Sequence, residues 1–272
     1  MPGLPLSPQV FALLAGLVEE RAGLHYRTND LELFRDKVSS RAEQQGFESL
    51  LDYYYFLKYD EGGHKELDAL VEGLVVHETY FFREADQLRA LTSKVLGPRL
   101  GGALPVRIWC AASATGEEAY TLAMLLAHAG QLERARILAT DVSERAVDRA
   151  RRGDFGSRAL RALPPGIEGR FLHRRDQRVE LEPHLREAIE WRRVNLVDPL
   201  AVASLGQFDA ILARNVLIYF SDATVRRVVE TLSGALAPGG VLLVSASESL
   251  LRYGTSLTCE EHGGAFFYRR VS

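Results

Sequence analysis

The chain is 272 residues long, 47% hydrophobic and 25% charged, with a formal net charge of −3. This composition fits a globular protein with one large or two modest domains, and it excludes nucleic-acid binding through bulk positive charge. Its two cysteines, Cys110 and Cys259, make neither a metal-ligand spacing nor a disulfide framework, so no metal is expected and a reducing cytoplasm is the expected compartment.

The opening LPLSPQVFALLAGLVEE has an apolar run with no basic residue before it, and so reads as a helix rather than a signal peptide. Ser7 is placed to cap that helix and Pro8 to occupy its first position. Residues 7 to about 90 are predicted entirely helical. Val10, Leu13, Leu14, Leu17 and Val18 recur at three and four, as do Leu31, Phe34, Val38 and Ala42. Gly23, Gly46 and Gly62-Gly63 punctuate the run. The second helix also carries Arg35, Lys37 and Arg41; the last two, one turn apart, fit either a solvated face or a partner-binding one. No apolar run is long enough to span a bilayer, so no direct membrane insertion is expected.

HETYFFR (77–83) closes the helical region, with Phe81 and Phe82 reading as core plugs and Arg83 harder to explain by packing. SKVLGPRLGGALP, with Pro98, Gly101, Gly102 and Pro105, reads as a linker. The expected division is therefore a helical domain over 1–90, a linker over 91–105 and an α/β domain over 106–272.

The second domain opens on VRIWCAASATG (106–116): an apolar strand, a loop of small residues, then the helical spacing of Tyr120, Ala123, Met124 and Ala127. Strand, tight loop and helix form the first unit of a nucleotide-binding α/β fold. The loop has one glycine where a dinucleotide fingerprint has three, which disfavours NAD. Glu117 and Glu118 at the helix start would repel a phosphate. A nucleoside without a pyrophosphate, and a cationic one, fits better; S-adenosylmethionine answers that description.

From there strands and helices alternate. ARILATD (135–141) is the second strand, followed by a helix capped by Ser143. Asp141 lies where an acid accepts both ribose hydroxyls; the alternative, capping the next helix, is already served by Ser143. Residues 145–193 hold thirteen arginines and no lysine against eight acids, suited either to forked contacts with carboxylates or phosphates or to a solvated face balanced by neighbouring acids. FLHRRDQRVELEP reads as a small antiparallel excursion. IEWRRVNL (189–196) is the third strand, ending in Asn195 and Leu196, an amide to read an adenine edge and an apolar residue to pack on the ring. FDAILARNVLIYF (208–220) is the fourth strand with its exit loop, carrying Arg214, Asn215 and Tyr219. An arginine after so apolar a strand must find a partner. A helix capped by Ser221 and stopped by Pro238-Gly239-Gly240 follows, then GVLLVSAS as fifth strand and a final hairpin turning at Gly263-Gly264.

Together these segments resemble the chemotaxis receptor methyltransferases, the CheR family, over nearly the whole chain. HETYFFR is similar to the family's N-x-T-x-F-F-R motif and SATGEEAYTLAM to its S-T-G-E-E-P-Y-S loop; ATD, VNL, RNVLIYF and LAPGGVLLVSASESL follow in order. The resemblance implies a Rossmann-like S-adenosylmethionine-dependent methyltransferase domain preceded by a small all-helical domain. It also implies methyl transfer to glutamate carboxylates of a methyl-accepting receptor, leaving S-adenosylhomocysteine. On this resemblance His77, Thr79, Arg83, Glu117, Glu118, Asp141, Asn195, Leu196, Arg214 and Asn215 line the cofactor site, and Arg83 and Tyr219 lie nearest the methyl group. His77 stands where the family has Asn, and Ala119 where it has Pro. The expected partner is the cytoplasmic helical bundle of the receptor, met by a monomer with no nucleic acid involved. Amino-methylating enzymes are disfavoured because their Asp/Asn-Pro-Pro-aromatic motif is replaced by RNVLIYF. A cofactor-binding but inactive adaptor is the alternative.

Overall fold

Ser7 accepts the N–H of Val10 at 3.3 Å and Pro8 takes the first turn, so helix α1 (Pro8–Ala22) starts where the sequence places it. Gly23, at φ 78°, ends it by donating to Glu19. The structure is a computed structural model describing residues 3–271. It divides into two units: the chain up to Val76 together with Tyr219–Thr224, and His77–Ile218 together with Val225 onward.

The first unit adds α2 (Leu31–Gln44), α3 (Leu50–Tyr59) and α4 (Gly63–Leu74). Leu14, Val18, Phe34, Val38, Tyr53, Leu57 and Leu70 meet in its core, so the three-and-four spacing of α1 and α2 has its expected use except at Leu13, which is exposed. The basic residues of α2 are drawn inward. Arg41 grips the buried Glu66 through two 2.6 Å bonds, and the Tyr53 hydroxyl donates to the same carboxylate at 2.7 Å. Lys37 donates to the Leu74 carbonyl and Arg35 pairs with Asp36, so this face is largely committed to the unit's own fold. The short segment from Tyr219 joins this unit through His25, whose N–H donates to the Tyr219 carbonyl at 2.8 Å, and a Leu24–Phe220 bridge.

The helical run does not reach residue 90 unbroken. After Val75 the backbone opens, with Phe82 at φ 62° and Glu84 at φ 47°, before α5 (Ala85–Ala90). The expected linker over 91–105 is also corrected. Leu91–Val95 continues α5 as a π-helical stretch, α6 (Gly97–Leu100) follows, and Leu88, Leu91, Leu96 and Leu100 enter the core of the second unit. Pro98 sits in the first turn of a helix, where its missing N–H is not needed, so a Pro/Gly cluster marks a turn there instead of a boundary. The division falls at Val76/His77.

The second unit is built on a seven-stranded sheet in the order β6-β2-β1-β7-β8-β10-β9. Its strands are β1 (Val106–Ala111), β2 (Ala135–Asp141), β6 (Ile189–Arg193), β7 (Phe208–Leu212), β8 (Leu236–Leu243), β9 (Thr258–His262) and β10 (Ala265–Arg269). The first five pair in parallel, while β10 runs antiparallel to both β8 and β9, as the sequence predicts. The hairpin turns at Gly263 (φ 62°) and Gly264 (φ 80°), two positive values that glycine accepts without strain. Helices α7 (Glu117–His128), α8 (Glu144–Arg152), α10 (Pro199–Ala203) and α11 (Asp222–Gly234) connect the parallel strands.

The antiparallel excursion is a three-stranded sheet of β3 (Asp154–Gly156), β5 (Arg178–Leu181) and β4 (Leu172–Arg175), followed by α9 (Pro183–Glu187). Several arginines of this region find acids: Arg178 with Asp154 at 2.6 Å, Arg174 with Glu168 at 2.7 Å, Arg175 with Glu180 at 3.2 Å. The balanced solvated face thus accounts for much of the local charge. One boundary differs. α11 ends at Gly234, and β8 already begins at Leu236, running through Pro238-Gly239-Gly240. The register against β7 shifts between Phe208 and Ala210, and a bulge is where a strand tolerates proline.

Candidate functional site

Strand order reverses at β1, whose neighbours β2 and β7 lead to opposite halves of the sheet, so the crevice beyond the strands' carboxyl ends is the expected ligand position. Three loops carrying the predicted residues meet there, and all three hold strained backbone. Among the described residues six non-glycines have positive φ; five are Phe82, Glu84, Ala112, Ala114 and Asn215. Such residues cost about 1–3 kcal/mol each and persist only where surrounding contacts fix them.

The contacts that fix the β1 loop come mainly from Asp141. Its Oδ2 accepts the Ala114 N–H at 2.8 Å and its Oδ1 the Ser143 N–H at 3.0 Å, while Ser113 donates to the Thr140 carbonyl at 2.9 Å. Ser143 caps α8, as predicted. Gly116, at φ 97°, lies under the Trp191 ring: a Cβ there would stand 2.6 Å from Trp191 and 2.9 Å from Ala150. The lone glycine of the loop therefore serves close packing and a left-handed turn.

The two acids at the start of α7 have separate roles. Glu117 is buried and accepts the Thr115 hydroxyl at 2.7 Å; burial pushes its carboxyl up. Glu118 faces Arg214 at 2.7 Å. Burial raises its carboxyl too, Arg214 pulls against that, and the charges of Glu84 and Glu248 add to the rise.

Arg214 finds the partners its position demands. Its Nε donates to Gln87 Oε1 at 2.9 Å, Nη1 to Glu118 and Nη2 to the Arg83 carbonyl at 2.8 Å. It thereby ties the β7 exit to α7 and to HETYFFR. Asn215 next to it donates its N–H to Glu248 at 2.6 Å, and the same carboxylate accepts from Ser245 and Ile218 at 3.1 and 3.2 Å. Gln87, Glu84 and Glu248 were not singled out in the sequence. Glu248 had one signal, an acid directly after an apolar strand in SASESL.

The remaining residues are placed as follows. Phe81 and Phe82 are buried, and the Phe82 N–H donates to Thr121 Oγ1 at 3.0 Å, itself bonded to the Glu117 carbonyl. Arg83 is half-buried and donates to the Glu78 carbonyl at 3.0 Å. Thr79 is half-buried in the same segment, and the buried His77 Nε2 has no hydrogen-bond partner among the described residues. Asn195 follows β6, its Oδ1 accepting the Val197 N–H at 3.2 Å, with Leu196 buried beside it. Tyr219 belongs to the segment that clusters with the helical unit.

This donor set fits S-adenosylmethionine. Asp141, at the end of β2, presents two carboxylate oxygens, acceptors of the kind that ribose hydroxyls use. Glu84 and Glu118 flank Arg214 and Glu248 holds the Asn215 N–H beside it, a group of carboxylates suited to a sulfonium and an ammonium. Acids open α7 where a pyrophosphate site would leave bare N–H groups.

Two family models match the chain. The all-alpha domain of the CheR methyltransferases covers residues 9–75, and their S-adenosylmethionine-binding domain covers residues 77–262. The chain is 33% identical over 240 residues to chemotaxis protein methyltransferase 2 of Vibrio cholerae serotype O1, spanning 86% of this chain and 83% of that one. It is 34% identical over 251 residues to chemotaxis protein methyltransferase 1 of Pseudomonas aeruginosa, spanning 88% and 90%. A chemotaxis protein methyltransferase of Borreliella burgdorferi is 29% identical over 248 residues, spanning 87% of each.

Proposed function

We propose a specific reaction for this chain, which belongs to the CheR methyltransferase family and is an S-adenosylmethionine-dependent methyltransferase: transfer of the methyl group to glutamate side chains of a methyl-accepting receptor. The observation that carries this reading is the gathering of HETYFFR, the β1 loop, Asp141 and Arg214 around one crevice through the Arg214–Glu118 and Asp141–Ala114 bonds.

Bound there, S-adenosylmethionine supplies a methyl group already activated by its sulfonium. A glutamate carboxylate is ionised at neutral pH and needs no general base. That carboxylate oxygen would be the methyl acceptor, with the sulfur of the bound cofactor as leaving group. What the chain contributes is alignment and exclusion of water. Asp141 accepts from the ribose hydroxyls, Asn195 reads the adenine edge and Leu196 packs on the ring. Glu117, Glu118, Arg214 and Asn215 hold the amino-acid end, with Thr79 and His77 completing the wall. Arg83 and Tyr219 orient the incoming carboxylate, an assignment that rests on the family motifs they match. The receptor is met through its cytoplasmic helical bundle, by a monomer working in the cytoplasm.

Incubation with labelled S-adenosylmethionine and receptor-bearing membranes tests this. The expected result is base-labile label released as methanol, lost in Arg83→Ala and Tyr219→Ala. Base-stable label, or near wild-type rates in both variants, would overturn it. Cofactor binding with no transfer at all would favour an adaptor.

A further inference from the structure

The family motif leaves the fourth residue of HETYFFR open, and here it is Tyr80, whose ring gathers two cations. The guanidinium of Arg161 lies 3.8 Å from the ring centroid and that of Arg83 lies 5.8 Å from it. A separation of 3.8 Å is a close stack, with the planar fork lying on the ring and its edge left for hydrogen bonding. Glu78 takes one Nη2 hydrogen of Arg161 at 2.9 Å, the one acceptor of that fork among the described residues. The segment carrying Arg161 is tied to HETYFFR by backbone and by rings. Phe81 donates to the Ala159 carbonyl at 2.9 Å, and Phe81 packs edge-on against Phe155 at 4.8 Å. Burial raises the Glu117 carboxyl, and the charges of Arg149 on α8 and of Arg161 both act against that rise. Arg161 thus adds a second positive charge beside Arg83 on the Tyr80 ring, with Glu78 the counter-charge paired to Arg161.

We infer that Arg161, held on Tyr80, is a specificity-determining residue that binds a second carboxylate of the acidic substrate segment flanking the target glutamate. The inference rests on the reading of the substrate as receptor glutamates. A target that is itself an acid is drawn to a cationic ledge, and a forked donor reads a second carboxylate through two bonds. An ion pair serving the fold alone would be an ordinary exposed one, since Arg161 is 44% and Glu78 65% exposed.

The test uses the full chain, its Arg161→Glu and Tyr80→Ala variants, and vesicles carrying an overproduced methyl-accepting chemoreceptor. Binding is read by co-sedimentation and transfer by initial rates over a range of receptor and salt concentrations. The expected result for Arg161→Glu is vesicle binding weakened and receptor KM raised by about tenfold, with a shallower salt dependence. Its kcat and its S-adenosylhomocysteine affinity stay at wild-type values, and Tyr80→Ala shifts KM in the same direction by less. Wild-type binding and KM in Arg161→Glu would overturn the inference, as would a loss confined to kcat. If the wild-type chain transfers no methyl group to the receptor, the functional reading falls, while the binding comparison still decides the role of Arg161.

Discussion

Arg214 and Glu118 meet at 2.7 Å with the arginine side chain only 1% exposed and the glutamate 14%. A guanidinium so placed has left water, so its desolvation must be offset by acceptors on every side. Gln87, Glu118 and the Arg83 carbonyl supply them. The pair therefore serves both the fold and the site: it neutralises a buried charge and holds three loops in register.

Glu118→Ala should accordingly destabilise the chain by about 3–5 kcal/mol, the usual cost of stranding one half of a buried pair. Glu118→Gln keeps an acceptor for Nη1 and should cost less. Urea unfolding checks this: the midpoint falls in that order with the slope unchanged. A wild-type midpoint for Glu118→Ala would mean that Arg214 is satisfied by its other partners.

Glu117 gives a prediction in pH. Burial holds its carboxyl above its ordinary 4.5, with the Thr115 hydroxyl and nearby arginines opposing. The folded state then retains a proton that the unfolded state has released, so Glu117 costs stability as pH rises from about 4.5 through its folded pKa, and that cost is fully present above it. Glu117→Gln still accepts from Thr115 and lacks this cost. Its stability relative to wild type should be lowest near pH 4.5 and rise toward neutrality, as measured by denaturant midpoints across that range.

Asp141 holds the β1 loop and, on the proposed reading, the ribose. Asp141→Ala removes both roles and leaves the Ala114 and Ser143 N–H groups without their acceptor, at about 1–3 kcal/mol each where they stay dry. S-adenosylhomocysteine affinity should fall at least about tenfold by titration calorimetry. Asp141→Asn keeps a single carbonyl oxygen and should fall between the two.

Much of this was legible in the chain because the signals were local. The caps at Ser7, Ser143 and the glycine hairpin, and the apolar strands with their exit residues, are read within a few positions. The boundary at Val76/His77 was not legible, because Pro98 and the paired glycines advertise a linker while Leu91, Leu96 and Leu100 are packed into the core by contacts distant in sequence. The same holds for Arg41, whose Glu66 partner is 25 residues away, and for Gln87 and Glu248, which reach Arg214 and Asn215 across 127 and 33 residues. The residues proposed to face the ligand carry local sequence signals; the groups that hold them in place lie far from them in sequence.

Gly116 is where local and distant constraints coincide, and it supplies the most demanding substitution. At φ 97° the backbone is already in a region that alanine enters only at a cost of about 1–2 kcal/mol. The added methyl would stand 2.6 Å from Trp191 and 2.9 Å from Ala150. Neither neighbour can yield easily: the Trp191 ring packs against Tyr120 at 5.4 Å, and Ala150 belongs to α8. Overpacking of this kind adds about 1–3 kcal/mol. Gly116→Ala should therefore lose several kcal/mol in denaturant unfolding and bind S-adenosylhomocysteine more weakly, because the displaced loop carries Ala114 away from Asp141. Gly130, also at positive φ but with open space around it, isolates the backbone share. Gly130→Ala should cost about 1–2 kcal/mol and leave cofactor affinity untouched. Equal losses at both positions would show that the contact with Trp191 carries no weight.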